Sequence, residues 1–266
     1  MSEEQAVLVE RRGHVMLVTL NRPDARNAIN QAIWVGAGSA LAEAEADVDI
    51  RVVVITGAGD KSFCAGADLK ALSRGEQIAP ADPVQLGWGF AGIVSHPISK
   101  PVIAAVNGAA LGGGTEIALA CDLVVAADTA EFGLPEVKRG IVAGAGGAFR
   151  IAQQLPKKLA MELLLTGKPI SGTEAARWGL VNRVVERERL LDEARALAAE
   201  IEATAPLATQ AVKATVAATE RMTVEEAFAA LRDGTIPAYD RAMASADSEE
   251  GPRAFAEGRD PVWRGK

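Results

Sequence analysis

The sequence predicts an α/β fold, a core of alternating strands, loops and helices followed by a helical C-terminal part. Three features predict it. Apolar runs of strand length recur at residues 51–57, 101–108 and 122–127, and in each the apolar positions are consecutive, as in strands covered on both faces. Glycines close the first two runs, at Gly57 and Gly108. Beyond Pro206, helix formers dominate and strand-like runs disappear.

Taken in order, Val7-Leu8-Val9 and residues 15–20 are β-rich runs separated by Arg12-Gly13, so they read as two strands joined by a turn. Asn21-Arg22-Pro23-Asp24 ends the second. Residues 29–46 turn to helix formers, interrupted by Gly36 and Gly38. Residues 70–95 hold Pro80, Pro83, Gly87, Gly89 and Gly92, and are expected to form an irregular surface segment, mobile or variable. A short helix is expected at 115–121, between two of the apolar runs. Ser171-Gly172-Thr173-Glu174 fits a capping box, in which the serine and glutamate satisfy each other's backbone N–H groups. Residues 189–203 and 207–220 form periodic helices, and Thr223-Val224-Glu225-Glu226 is a second capping box opening a third. The expected organisation is a mixed core over residues 1–200 and a helical region over 201–266.

The 266 residues are 49% apolar but only 4% aromatic, so a large core must be built from Ala, Val, Leu and Ile. A net charge of −7 repels phosphate backbones, which argues against nucleic acid as a partner. Cys64 and Cys121 do not suggest a disulfide framework and suit a reducing cytosol. Residues 1–5 lack the basic and apolar parts of a signal peptide. The most apolar stretch, 117–127, is broken by Asp122 and is far shorter than the roughly 20 residues a bilayer requires. A cytoplasmic protein without a membrane partner is expected.

Histidine is the usual general base, but His14 sits in a turn and His96 precedes Pro97, neither beside a nucleophile. No Gly-x-Ser-x-Gly elbow and no metal-spaced His/Cys cluster occurs. Gly57-Ala58-Gly59 follows a strand, but the third glycine of a dinucleotide fingerprint is missing. Glycine and carboxylate remain. Leu111-Gly112-Gly113-Gly114-Thr115-Glu116 joins a strand exit to a helix start, where free N–H groups and the helix dipole suit an oxygen gaining negative charge. Phe63-Cys64-Ala65-Gly66-Ala67-Asp68-Leu69 is a second such turn, with Asp68 as a natural N-cap. Together the two can form an oxyanion hole, or each can be an ordinary tight turn. Glu116 and Glu136 each stand at a helix start, which the helix dipole alone explains. As a pair facing one pocket, they would share acid and base duties. Gly144-Ala145-Gly146-Gly147 reads as close backbone packing or as a phosphate loop lacking the usual Lys-Ser/Thr.

In chain order, Asn21-Arg22-Pro23 with Asn27-Ala28, residues 64–69, Lys100-Pro101 through Gly108, Gly112 through Glu116, Phe132 through Glu136, and residues 144–147 resemble the pattern of the crotonase superfamily. The resemblance spans nearly the whole chain. It implies a spiral of ββα turns and a C-terminal helical trimerisation region, with homotrimers or hexamers formed as dimers of trimers. It also implies an acyl-CoA substrate, coenzyme A being part of the substrate and not a separate cofactor. The oxyanion-hole amides implied are those of Ala67 and Gly113. Coenzyme A would run past Arg26, Ala28, Ala65, Asp68 and Leu69, and the acyl chain past Leu111, with Trp88 and Phe90 as candidate pocket aromatics.

Hydratases of the superfamily resemble this chain in keeping both glutamates, whereas many enoyl-CoA isomerases keep only the one matching Glu136. The implied reaction is syn hydration of a 2-enoyl-CoA, with Glu116 acting on water and Glu136 on the α-carbon. Residues 134–142, 250–257 and 260–263 are similar to those of carnitinyl-CoA dehydratases, which use the same two-glutamate chemistry on a trimethylammonium acyl chain. One departure concerns a C-terminal Phe…Lys pair that reaches coenzyme A in many hydratases. Phe255 fits it, but Gly258 stands at the lysine position with Arg259 adjacent.

Overall fold

In the computed structural model, which describes residues 5–266, the chain opens with an antiparallel hairpin of β1 (Val7–Arg12) and β2 (Val15–Leu20). Helix α1 (Gln31–Ala46) follows, capped by the Asn30 side chain, which accepts from the Ile33 N–H at 3.0 Å. The next elements are β3 (Val52–Gly57), β4 (Ser62–Cys64) and the short helices α2 (Leu69–Ser73) and α3 (Pro83–Gly87). Then come β5 (Val102–Val106), β6 (Ala109–Leu111), α4 (Gly113–Ala120), β7 (Leu123–Ala127) and β8 (Glu131–Gly133). After α5 (Gly147–Gln154) and α6 (Lys157–Thr166), β9 (Ile170–Ser171), α7 (Gly172–Arg177) and β10 (Arg183–Val185) complete the sheets. The rest is helical: α8 (Leu190–Glu202), α9 (Pro206–Thr219), α10 (Val224–Arg232), α11 (Pro237–Met243) and α12 (Ala246–Glu257).

From β3 to β8, successive strands alternate between two sheets. One has the order β1-β2-β3-β5-β7-β10, and the other β4-β6-β8-β9. The strands β2, β3, β5, β7 and β10 run parallel, and β4, β6 and β8 do so in the second sheet. Each turn of the chain thus lays one strand in each sheet, which is the ββα spiral. Every residue of β3 and β5 is buried, because both faces of the first sheet are covered. Val53 and Ile55 enter the large core with Met16, Ile33, Phe63 and Ile117. Val52 and Val54 face the other way, toward Leu190, Ala194 and Leu197 of α8.

The segment 70–95 departs from expectation. It is irregular, but not wholly at the surface: Ala91, Gly92, Ile93 and Val94 are buried, and the turn they belong to packs against α1. Of the two glycines that weaken α1 as a helix, Gly38 permits this contact and Gly36 faces Val7. A Cβ on Gly38 would lie 3.2 Å from the Gly92 Cα and inside the Trp88 ring. Both capping boxes form, at Ser171/Glu174 and Thr223/Glu226. No helix is long and apolar enough to cross a membrane among the described residues.

Candidate active site

Three turns converge on one cleft of about 350 Å³. The first follows β4 and carries Ala65, Gly66 and Ala67. The second, at the β6–α4 junction, carries Leu111, Gly112, Gly113 and Glu116. The third follows β8 and carries Pro135 and Glu136. A Cβ on Gly66 would stand 3.1 Å from the Gly113 amide nitrogen, so the first two turns touch through backbone. The Gly113 N–H heads α4 and has no carbonyl a turn before it to bond. The Ala67 N–H likewise finds no acceptor among the described residues, although its neighbours pair: Asp68 N–H donates to the Ile29 carbonyl and Ile29 N–H to that of Gly66.

Buried polar side chains hold these turns. Asn27 adopts φ +54, a conformation asparagine tolerates, and donates to the carbonyls of Ala58 and Ser62 at 3.0 and 2.8 Å. Asn107 donates to the carbonyls of Gly59 and Ser62 and accepts from the Gly57 N–H. One loop, 57–62, is therefore gripped from two motifs distant in sequence. Thr115 does the same for the glutamate-bearing turns. Its hydroxyl accepts from the Gly133 N–H at 2.9 Å and lies 2.6 Å from the Ala110 carbonyl.

Glu116 is 4% exposed, and its Oε1 accepts from the Gly147 N–H at 2.9 Å. Burial raises its pKa, and the nearby Glu136 raises it further. The amides of Gly147 and Ala145 and the Arg150 guanidinium act in the opposite direction. Glu136 is also raised, by burial, against its own backbone N–H and Arg139. Its Oε2 is buried with no hydrogen-bond partner among the described residues. Two titrating carboxyls thus face one cleft with unequal support.

Arg26, Ala65, Leu69, Leu111 and Phe90 also line the cleft. Ala28 and Asp68 do not: the Ala28 carbonyl accepts from Arg22, and the Asp68 carboxylate pairs with Arg22 at 3.0 Å while capping α2 through the Ala71 N–H. Trp88 stacks on His96 at 4.9 Å, away from the cleft. Phe255, on α12, is 90% exposed and does not line the cleft of its own chain. Arg259 is engaged by Glu250 at 2.6 Å and by Glu257, so its charge is already paired. Both histidines bond backbone carbonyls, His14 that of Asp49 and His96 that of Gly38. The glycine run 144–147 packs against side chains rather than against a neighbouring backbone: a Cβ on Gly147 would lie 3.0 Å from the Glu116 Cγ, whereas one on Gly144 would meet nothing closer than 3.7 Å. Thr115 and Arg150 were not legible as site residues. Their signals were a buried β-branched hydroxyl between a glycine run and a glutamate, and an arginine in the first turn of a helix.

Comparison with known proteins agrees with this architecture. The family model described as enoyl-CoA hydratase/isomerase matches residues 10–266. A carnitinyl-CoA dehydratase of Salmonella agona is 46% identical over 263 residues, covering 98% of this chain and 99% of that protein. The crystal structure of an enoyl-CoA hydratase from Mycobacterium tuberculosis H37Rv superposes with a TM-score of 0.91 at 42% identity, over 99% of this chain and 100% of the other. The structure of a carnitinyl-CoA dehydratase from Mycobacterium avium 104 gives 0.78 at 53% identity, with the same coverage. This chain is therefore an enzyme of the crotonase superfamily and belongs to its enoyl-CoA hydratase/isomerase family.

Proposed function

We propose that the chain is an enoyl-CoA hydratase, a hydro-lyase that adds water reversibly across the double bond of a 2-enoyl-CoA. One observation carries this reading. Two carboxyls with raised pKa, Glu116 buried and Glu136 half-buried, share a cleft with two backbone amides that have no acceptor of their own among the described residues. The amides of Ala67 and Gly113 hold the thioester oxygen as it gains charge, and each such donor contributes about 3 kcal/mol to transition-state stabilisation. Glu116 takes a proton from water as the water oxygen bonds to the β-carbon. Glu136 gives a proton to the α-carbon, and reversal of both transfers expels water. The unequal support of the pair fits this division. Glu116 has two amides and Arg150 favouring its charged form, whereas Glu136 has only its own amide and Arg139, and its Oε2, without a partner among the described residues, favours the protonated form.

A carnitinyl-CoA dehydratase reading is favoured by the relatives of that name. It uses the same groups in the dehydration direction. Against it, the charged side chains at the cleft besides the glutamates are Arg26 and Arg139, poor neighbours for a trimethylammonium group. Retention of Glu116 speaks against an isomerase. Coenzyme A would lie along Arg26, Ala65 and Leu69, with Asp68 acting by holding that turn. No cofactor beyond the substrate's own coenzyme A is proposed. The chain would act as a homotrimer or as paired trimers. Val212, Val216, Phe228 and Met243, all exposed on the C-terminal helices, support this assembly, in which Phe255 would reach a neighbour's ligand.

The test is a panel of enoyl-CoA esters, including crotonyl-CoA and crotonobetainyl-CoA, followed by loss of the conjugated double bond. Turnover of crotonyl-CoA in preference to crotonobetainyl-CoA is expected. The reverse order would favour the dehydratase reading, and turnover of neither would sink both.

A further inference from the structure

Arg150 breaks a local rule. It lies in the first turn of α5, where the helix dipole disfavours a cation. It is partly buried, and among the described residues its guanidinium bonds no carboxylate. Its partners are carbonyls: Nη2 donates to Val94 at 2.6 Å and Nη1 to Ala145 at 3.3 Å, while the group lies 5.3 Å from the Phe149 ring centroid. The side chain folds back over the helix start, where Gly146, at φ +111, leaves room for it; a Cβ there would overlap the Arg150 Nη1. Partial burial of a cation held only by carbonyls costs stability, and such violations gather at functional sites.

That helix start is the one that holds Glu116. The Ala145 carbonyl accepts from Arg150, and the amides of Ala145 and Gly147 face the Glu116 carboxylate. Val94, the other acceptor, lies four residues beyond Phe90 in the segment that walls the cleft. The groups acting on Glu116 are Glu136 from the turn after β8, Arg150 from α5, and those two amides. Arg150 also faces Cys121 at the end of α4, whose thiol burial pushes up to about 12 and so keeps neutral. Arg150 is therefore the one cation among the groups that act on Glu116.

We propose that Arg150 is a positioning residue which, through the Ala145–Gly147 turn, seats the Glu116 carboxylate and keeps it charged for proton abstraction. The proposal rests on the hydratase reading of Glu116 given above. Removing the cation should make Glu116 harder to ionise, and the base is active only when ionised. The acidic limb of kcat/KM, which reports the free enzyme, should therefore move to higher pH.

The experiment compares the full-length enzyme with Arg150→Met and Arg150→Lys, measuring kcat/KM for crotonyl-CoA against pH. For Arg150→Met, the loss should be about tenfold greater at pH 5.5 than at pH 8.5. Arg150→Lys keeps the charge but not the fork, and should retain the acidic limb while losing a constant factor. A loss for Arg150→Met that is equal at all pH values would overturn the proposal, leaving a packing role. Should Arg150→Met not fold, Arg150→Gln keeps one donor, loses the charge, and carries the same expectation. A 13C-glutamate NMR titration, with the Glu116 resonance assigned by its absence in Glu116→Gln, provides a readout independent of turnover. An unchanged Glu116 midpoint in the arginine variant would refute the proposal, whereas failure of every enoyl-CoA to react would refute only the hydratase reading.

Discussion

At the scale of residues, Glu116 and Glu136 sit in the same cleft but in different surroundings, and the difference has measurable consequences. Glu116→Gln and Glu136→Gln should each lower hydration by at least about 100-fold, the low end of general acid–base contributions. An isomerase would instead tolerate the first change, so near-normal activity in Glu116→Gln would exclude the two-carboxyl mechanism. The pH profile of kcat/KM should be bell-shaped, falling in acid as Glu116 takes up a proton and in alkali as Glu136 loses one. Because burial raises both groups, both limbs should lie above the ordinary carboxylate range, and Glu136→Gln should abolish the alkaline one. Stability should move the other way. A carboxyl whose folded pKa is raised supports the fold while protonated, and that support is lost as pH rises through the folded pKa. Either glutamine variant should therefore melt higher than the parent at pH 8, by about 2–4 °C per kcal/mol recovered, with the gap closing at pH 4. Calorimetry at the two pH values checks this.

At the scale of elements, the Thr115 hydroxyl is the joint between α4 and β8, and so between the two glutamate-bearing turns. Thr115→Val keeps the shape but leaves the buried Gly133 N–H unpaired. It should cost about 1–3 kcal/mol in urea unfolding, together with part of the activity, and Thr115→Ser should restore most of both. The long elements were legible because they satisfy local rules. The consecutive apolar residues of β3 and β5 announce strands buried on two faces, and the capping boxes at Ser171 and Thr223 form as written. The second sheet was not legible. Its strands β4, β6 and β8 are three residues long, too short for any period, and exist because the neighbouring strand is there. The segment 70–95 misled for a related reason: its prolines and glycines do mark irregular backbone, but whether that backbone is covered depends on α1. The two glutamates looked locally like ordinary helix-start residues. Their pairing emerges only when two turns 20 residues apart meet, as the ordered family pattern implied.

At the scale of the whole molecule, the C-terminal helices are lean in core and rich in exposed apolar side chains, from Val212 to Phe255. Lys213 ties α9 to the core by donating to Asp122 at 2.7 Å and to the Lys100 carbonyl at 2.9 Å. Sedimentation equilibrium should find assemblies of three or six chains, and a monomer at micromolar concentration would argue against the proposed trimer. The alternation of strands between two sheets has one more consequence, in time rather than in space. Apart from the opening hairpin, the pairings join strands remote in sequence, Val53 with Val102, Glu131 with Ser171 and Arg183 with Val125 among them. Such closures are slow because the chain loses entropy before any contact repays it. The cleft is complete only after successive turns of the spiral have stacked, so a refolding population should regain helix signal and bury Trp34 before it regains turnover, and catalytic competence should be among the last properties to return.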